Sequence, residues 1–113
     1  MLTKKLKTKW FHYLSAFFAG VFFVNMIPHY INGMMGKEFP SPFGEPAGIG
    51  LSHPIVNVTW GIINVLISLS FIYFGKLHKR ETNLWIAAAI GGIVMSLYVA
   101  YYFGTLIHKL QAN

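Results

Sequence analysis

The sequence predicts an all-α membrane protein with three transmembrane helices and an ordered proline- and glycine-rich loop between helices 1 and 2. Of its 113 residues, 55% are hydrophobic and only 11% are charged, whereas a soluble domain carries about 25% charged residues. Three runs, 10–31, 54–75 and 84–107, contain no Lys, Arg, Asp or Glu. Each reaches about 33 Å as a helix and can cross a hydrocarbon core of about 30 Å. Little chain remains outside the runs, so residues 1–113 form a single transmembrane domain in this interpretation.

The three helices have recognisable ends in the sequence. Helix 1 is expected at about 10–32, with Pro28 interrupting it near its outer end, because proline removes a helical hydrogen bond. Helix 2 is expected at 54–75, where Pro54 suits the first helical position and the preceding "SH" can cap. Helix 3 is expected at 83–108, after the basic turn "KLHKRET".

The loop "MMGKEFPSPFGEPAGIGLSH" is too short and too broken to span a membrane. Its prolines and glycines exclude a regular helix. It is also unusually apolar, whereas a flexible linker is rich in small polar residues. We therefore expect an ordered cap that rests on the helix ends.

The charged residues predict the orientation in the membrane. The formal net charge is +6, and the positive residues are concentrated before helix 1 and in the turn 76–83. Positive charge is retained on the cytoplasmic side. The N-terminus is therefore predicted on the cytoplasmic side of the membrane, and the 33–53 loop and the C-terminus on the opposite side. This placement points to lipid headgroups and not to nucleic acid as the partner of the basic residues. The chain has no cysteine, which excludes disulfides and thiolate sites. His12, His78 and His108 lie near the predicted interfaces and are expected to be solvated.

A stripe of polar and small residues runs along helix 2: His53, Asn57, Gly61, Asn64, Ser68 and Gly75. At 100° per residue, all its members lie within about 40° of Asn57 around the helix. Helix 1 carries a shorter polar face near its outer end. Polar side chains in membrane segments turn away from lipid, and antiparallel packing of the two helices brings these faces to similar depth. The resulting candidate polar pocket contains Asn25, His29, Asn32, His53, Asn57, Trp60 and Asn64.

Two interpretations of this pocket stay open at the level of sequence. The asparagines and histidines can tie helices together, at roughly 0.6–2 kcal/mol per hydrogen bond. Alternatively, the pocket binds an apolar ligand, a quinone, a haem or a metal, with His29 and His53 as the candidate ligands. Two histidines without a carboxylate or thiolate make a sparse metal site and no metal-binding motif is present, so we expect no metal or cofactor. No carboxylate pair or nucleophile–base pair indicates an enzyme.

Small residues at four-residue spacing mark helix contacts. Ala88, Gly92 and Ser96 follow this spacing on helix 3, as do Ala16 and Gly20 on helix 1. Such patterns let helix backbones approach closely, either within one chain or between subunits. They favour a homo-oligomer or a larger membrane complex. A second stripe on helix 3, Met95, Tyr98, Tyr102 and Thr105, can line a pathway or pack in the core.

The segments "FFAGVFFVNMIPHYINGMMGKEFPSPFG" and "GLSHPIVNVTWGIINVLI" resemble a family of small uncharacterised bacterial membrane proteins with the pattern PHxxxG…FPxPF…GxGLSxPxVNxxWGxxN. The resemblance covers about residues 16–70 and implies a bacterial inner-membrane location without an assigned activity. His53 stands at an unspecified position of the pattern where the resemblance leads us to expect a small polar residue, which weakens the paired-histidine interpretation. The matching positions are Pro28, His29, Gly33, Phe39, Pro40, Pro42, Phe43, Gly48, Gly50, Leu51, Ser52, Pro54, Val56, Asn57, Trp60, Gly61 and Asn64.

The sequence therefore favours a non-enzymatic structural or accessory membrane component. The alternative is a small transporter or channel module in which the polar stripe of helix 2 lines a path across an oligomer. A third interpretation is a redox protein that binds haem or a quinone.

Overall fold

The computed structural model describes residues 4–112 and confirms the three-helix architecture. Helix α1 spans Trp10–Met34, α2 spans Pro54–Gly75 and α3 spans Asn83–Ala112, so α1 and α3 run past their predicted ends at 32 and 108. Two short strands, β1 (Phe39–Pro40) and β2 (Leu51–Ser52), lie between α1 and α2. The chain is elongated, measuring 61 × 24 × 20 Å.

All three helices are long and apolar enough to cross a membrane. Their most apolar windows have mean hydropathies of 1.5, 1.9 and 1.9, and only 17%, 22% and 11% of those windows are buried inside the protein. Apolar side chains that face outward along most of a helix are compatible with lipid and not with water. The fold is that of a small membrane protein.

Helix α1 lies at the centre and packs against both other helices, whereas α2 and α3 scarcely touch each other. The contact between α1 and α3 is a contact of backbones. A Cβ atom added at Gly20 would lie 1.9 Å from the Ala88 carbonyl oxygen, and one added at Gly91 would lie 2.0 Å from the Phe17 carbonyl oxygen. The small residues that predicted close helix packing are therefore used within one chain.

The loop between α1 and α2 forms the ordered cap that its composition predicted. Strands β1 and β2 pair antiparallel, with Phe39 opposite Ser52. The Ser41 and Ser52 hydroxyls hydrogen-bond to each other in a buried position. The Tyr102 hydroxyl donates to the Gly48 carbonyl oxygen at 2.6 Å, so α3 also holds the cap.

A small apolar core closes the opposite, basic end of the bundle. Leu77 lies in a short 3₁₀ turn after α2 and is 1% exposed, and it packs with Ala16 and the fully buried Leu84. The N-terminal segment lies against this turn, because the Leu6 backbone N–H donates to the Lys79 carbonyl oxygen at 2.8 Å. The two basic segments are thus brought to one end of the molecule, as the orientation argument requires.

His78 and His108 are exposed, whereas the expectation of a solvated side chain is wrong for His12. His12 is 7% exposed, and its Nδ1 accepts a hydrogen bond from the Lys9 backbone N–H at 2.9 Å. The reason is local: this bond satisfies one of the N–H groups left unpaired where α1 begins.

Candidate functional site

Asn57 is the centre of the polar cluster at the capped end of the bundle. It lies in the first turn of α2 and is fully buried. Its Nδ2 donates to the Phe39 carbonyl oxygen at 2.9 Å and to the Ser52 carbonyl oxygen at 3.2 Å. Its Oδ1 lies 2.9 Å from His29 Nδ1. One amide therefore joins α1, α2 and both strands of the cap.

These contacts determine which His29 nitrogen carries the proton. The two carbonyl oxygens beside Nδ2 can only accept, so the amide nitrogen of Asn57 must face them and its oxygen must face His29. His29 Nδ1 is therefore the donor. In the neutral imidazole the other nitrogen, Nε2, is then an acceptor.

His29 is enclosed by aromatic rings. It is 3% exposed, and its ring centroid lies 5.5 Å from that of Phe39, 5.9 Å from that of Phe103 and 6.5 Å from that of Trp60, all with edge-to-face geometry. Edge-to-face packing is a preferred arrangement of aromatic side chains. The ring is thus held by its surroundings as well as by Asn57.

The polar stripe of α2 continues toward the basic end as two further ties to α1. Asn25 Nδ2 donates to Asn64 Oδ1 at 3.0 Å, and Asn64 is fully buried. Deeper along the helix, the Ser68 hydroxyl, 2% exposed, donates to the Ala19 carbonyl oxygen at 2.6 Å. Together with the His29–Asn57 pair, these bonds join α1 and α2 at three levels.

Two residues predicted for the pocket lie outside this cluster of bonds. Asn32 donates from Nδ2 to the Pro28 carbonyl oxygen at 2.7 Å, within its own helix. His53 is exposed and precedes α2 as its N-cap, where its side chain accepts from the Ile55 backbone N–H at 3.2 Å. His29 and His53 therefore have separate roles. Among residues 4–112, no three His, Cys, Asp or Glu side chains are grouped so that they could hold a metal ion.

A cavity of about 210 Å³ lies beside His29, between the cap and α3. Asn25, His29 and Trp60 of the predicted pocket line it. The remaining walls are residues that were not predicted for the pocket: Pro40, Ser41, Pro42, Gly48, Met95, Tyr98, Val99, Tyr102 and Phe103. Met95, Tyr98 and Tyr102 did carry a signal, since they share one face of helix 3 in the sequence, but their partner could not be deduced from it.

Comparisons of the chain with protein-family models, with curated proteins and with solved structures find no match. The fold and the polar cluster therefore define its class, a small membrane protein with three helices of spanning length, and its role has to be argued from its own residues.

Proposed function

We propose that this protein is a non-enzymatic structural or accessory component of the bacterial inner membrane, acting as an oligomer or within a larger membrane complex. One observation supports the proposal: the polar side chains of the α2 stripe are engaged in hydrogen bonds to α1 and to the cap. Asn57, Asn64 and Ser68 are at most 2% exposed, and each is hydrogen-bonded across the bundle. Such bonds stabilise helix association in a membrane.

The same observation weighs against the transporter or channel alternative. A path for ions or polar solutes requires polar groups that water can reach. The stripe that would line such a path faces α1 within a single chain. Assembly of several copies around this stripe would first require α1 and α2 to separate.

Cysteine substitution tests this point, because the chain contains no native cysteine. Ser68→Cys and Asn64→Cys are expected to react with a membrane-impermeant thiol reagent at least about tenfold more slowly than Ala47→Cys in the exposed cap, since a buried thiol is shielded from water. Labelling followed by mass spectrometry of the intact protein measures the rates. Fast, complete labelling at positions 64 and 68 would support the transport alternative.

The same reagent reports orientation. Ala47 belongs to the predicted outer loop and the exposed Thr82 to the predicted inner turn, so Ala47→Cys is expected to be labelled in intact cells and Thr82→Cys only after the inner membrane is permeabilised. The basic residues at the N-terminus and in the 76–80 turn support this orientation. Labelling of Thr82→Cys in intact cells would indicate the opposite orientation in the membrane.

A groove between α2 and α3 supports assembly with a further helix. Because α2 and α3 scarcely touch, the surface of α1 between them remains open as a groove of about 550 Å³. Small residues from α1 and α3 line much of it: Ala19, Gly20, Ala88, Ala89, Gly92 and Ser96. Small residues let another backbone approach closely, and we assign the groove to a helix of a second copy.

Ala89→Trp tests this assignment, since Ala89 is exposed and lines the groove. An indole ring there occupies the space that a partner helix needs, so the variant is expected to be monomeric where the native protein is oligomeric. Native mass spectrometry in mild detergent measures the state. Leu97→Trp is the matched control, because Leu97 is 68% exposed on the same helix and outside the groove. A native protein that is already monomeric, or an oligomer unaffected by Ala89→Trp, contradicts the assignment.

A further inference from the structure

Two side chains that line the cavity beside His29 carry a hydrogen-bond acceptor that their bonds to α2 leave unused. His29 Nδ1 is committed to Asn57, so Nε2 remains as an acceptor without a partner among the described residues. Asn25 also lines the cavity, and its Nδ2 is committed to Asn64, which leaves its Oδ1 as a second acceptor. A ligand that bonds to either of these acceptors must donate a hydrogen bond.

Trp60 adds an unpaired donor at the same wall. Its Nε1 is enclosed by protein and has no hydrogen-bond partner in the part of the chain that the structure describes. Buried polar groups are normally paired, and an exception calls for an explanation. A hydroxyl group both donates and accepts. It can therefore act as the donor to His29 Nε2.

The other walls favour an aromatic ring. Tyr98 and Tyr102 of α3 line the cavity, and Phe103 packs edge-to-face against His29 with 5.9 Å between the ring centroids. Aromatic rings attract one another in stacked or edge-to-face pairs. A dry cavity of about 150 Å³ can hold benzene. The 210 Å³ of this cavity therefore accommodates a benzene ring with several substituents.

Charge and access restrict the ligand further. No aspartate or glutamate lines the cavity, so a cationic ligand would be buried without a counter-ion, which is unfavourable. Tyr98 lies at the rim and is 57% exposed on a helix of membrane-spanning length. A ligand that is neutral and dissolves in lipid can enter there.

We propose that this cavity binds a neutral, membrane-soluble aromatic compound with a ring hydroxyl, which donates its proton to His29 Nε2. The quinol headgroup of a prenyl lipid and a free phenol share this chemistry. The proposal is independent of the structural role inferred above, since neither oligomerisation nor the ties between α1 and α2 require a ligand.

The test compares trimethylphenol with its methyl ether by isothermal titration calorimetry on the purified protein in detergent micelles. The ether keeps the ring and loses the donor, so it is expected to bind at least about tenfold more weakly, the effect of one hydrogen bond in a site without water. Equal affinity of the two compounds overturns the proposal.

Two substitutions locate the binding site. His29→Asn keeps a side-chain N–H that can donate to Asn57 and removes the Nε2 acceptor, so phenol binding is expected to weaken about tenfold and to match that of the ether. Val99→Phe fills the cavity and is expected to abolish binding. Because it leaves His29 in place, it tests the site independently of any effect of His29→Asn on stability. Val94→Phe is its matched control, since Val94 is 48% exposed on α3 and does not line the cavity. Binding to Val99→Phe that equals binding to Val94→Phe shows only partition into micelles and overturns the proposal.

A third comparison distinguishes the two sources of the ring. One hydroquinone carries a decyl tail and the other has none. Stronger displacement of trimethylphenol from the native protein by the tailed compound indicates a prenyl quinol, provided that Val99→Phe shows no such difference. Equal displacement by both hydroquinones indicates a free phenol. Failure of both to displace trimethylphenol contradicts the proposal.

Discussion

Asn57→Leu is expected to lower the free energy of unfolding by about 2–4 kcal/mol, because it removes several buried hydrogen bonds in one step. The His29 N–H loses its acceptor, and the Phe39 and Ser52 carbonyl oxygens each lose the bond that Asn57 donates. Leucine has the same number and branching of side-chain heavy atoms as asparagine, so the loss does not reflect a cavity. Reversible unfolding in mixed micelles of mild detergent and dodecyl sulfate measures the change.

Thr59→Val is the matched control for this prediction. Thr59 is exposed on the same helix, and its hydroxyl bonds only to the Ile55 carbonyl oxygen of its own helix. A change within about 0.5 kcal/mol is expected there. Similar losses for Asn57→Leu and Thr59→Val would mean that the bonds of Asn57 contribute nothing beyond those of a lipid-facing side chain.

The His29 pair can be separated from the carbonyl bonds by a double-mutant cycle. His29→Leu and Asn57→Leu remove opposite sides of one bond, so their effects are expected to be less than additive, with an interaction of about 0.6–2 kcal/mol. Full additivity would show that the 2.9 Å contact between the two side chains does not stabilise the fold.

The sequence predicted the three helices well because the membrane imposes a strong length constraint. A run of more than 20 apolar residues without charge has few alternatives to a spanning helix. It also predicted that Asn57, Asn64 and Ser68 would turn inward together, since lipid cannot satisfy them. The structure buries all three against α1.

The role of His53 was predicted from the start of helix 2, where the "SH" before Pro54 was expected to cap, and not from the polar stripe. It shares the face of Asn57 by helical angle, which indicated a place in the pocket. It is, however, the residue at which the helix begins, and there the nearest unpaired group is the backbone N–H of Ile55. A helix cap is a local contact, here with the backbone two positions further on, so sequence position is enough to predict it. A contact with His29 depends on how α1 and α2 pack, which the stripe does not reveal.

The contribution of α3 to the cavity was also beyond the sequence. In a membrane, side chains toward lipid and side chains toward protein are both apolar, so hydrophobic periodicity does not reveal which face packs inward. The partner of Tyr102 is a carbonyl oxygen of Gly48, 54 residues earlier in the chain. Backbone acceptors of this kind have no sequence signature.

Gly20→Leu is expected to disrupt the packing of α1 against α3 and to cause the largest loss of stability among single substitutions on these two helices. A first side-chain carbon at Gly20 would already lie 1.9 Å from the Ala88 carbonyl oxygen and 2.9 Å from the Gly92 backbone nitrogen. Both atoms belong to the backbone of α3, so no rotamer change can relieve the overlap, and the helices must separate.

Gly20→Ala and Gly91→Ala isolate the Cβ atom as the cause. Each places one carbon within about 2 Å of a backbone oxygen of the other helix, and each is expected to cost about 1–3 kcal/mol as overpacking. Gly104→Ala is the control, because a Cβ there has no atom within 4 Å. It should be neutral or stabilising by up to about 1 kcal/mol through helix propensity.

The three alanine variants separate close packing from intrinsic helix preference, since propensity favours alanine at every one of these positions. Destabilisation at Gly20 and Gly91 together with no loss at Gly104 can arise only where the backbones of α1 and α3 touch. If all three variants are stabilised, α1 and α3 do not pack with their backbones in contact. The open side of α1 that the proposed oligomer requires would then lose its basis, because that groove exists only while α3 is held against α1 and away from α2.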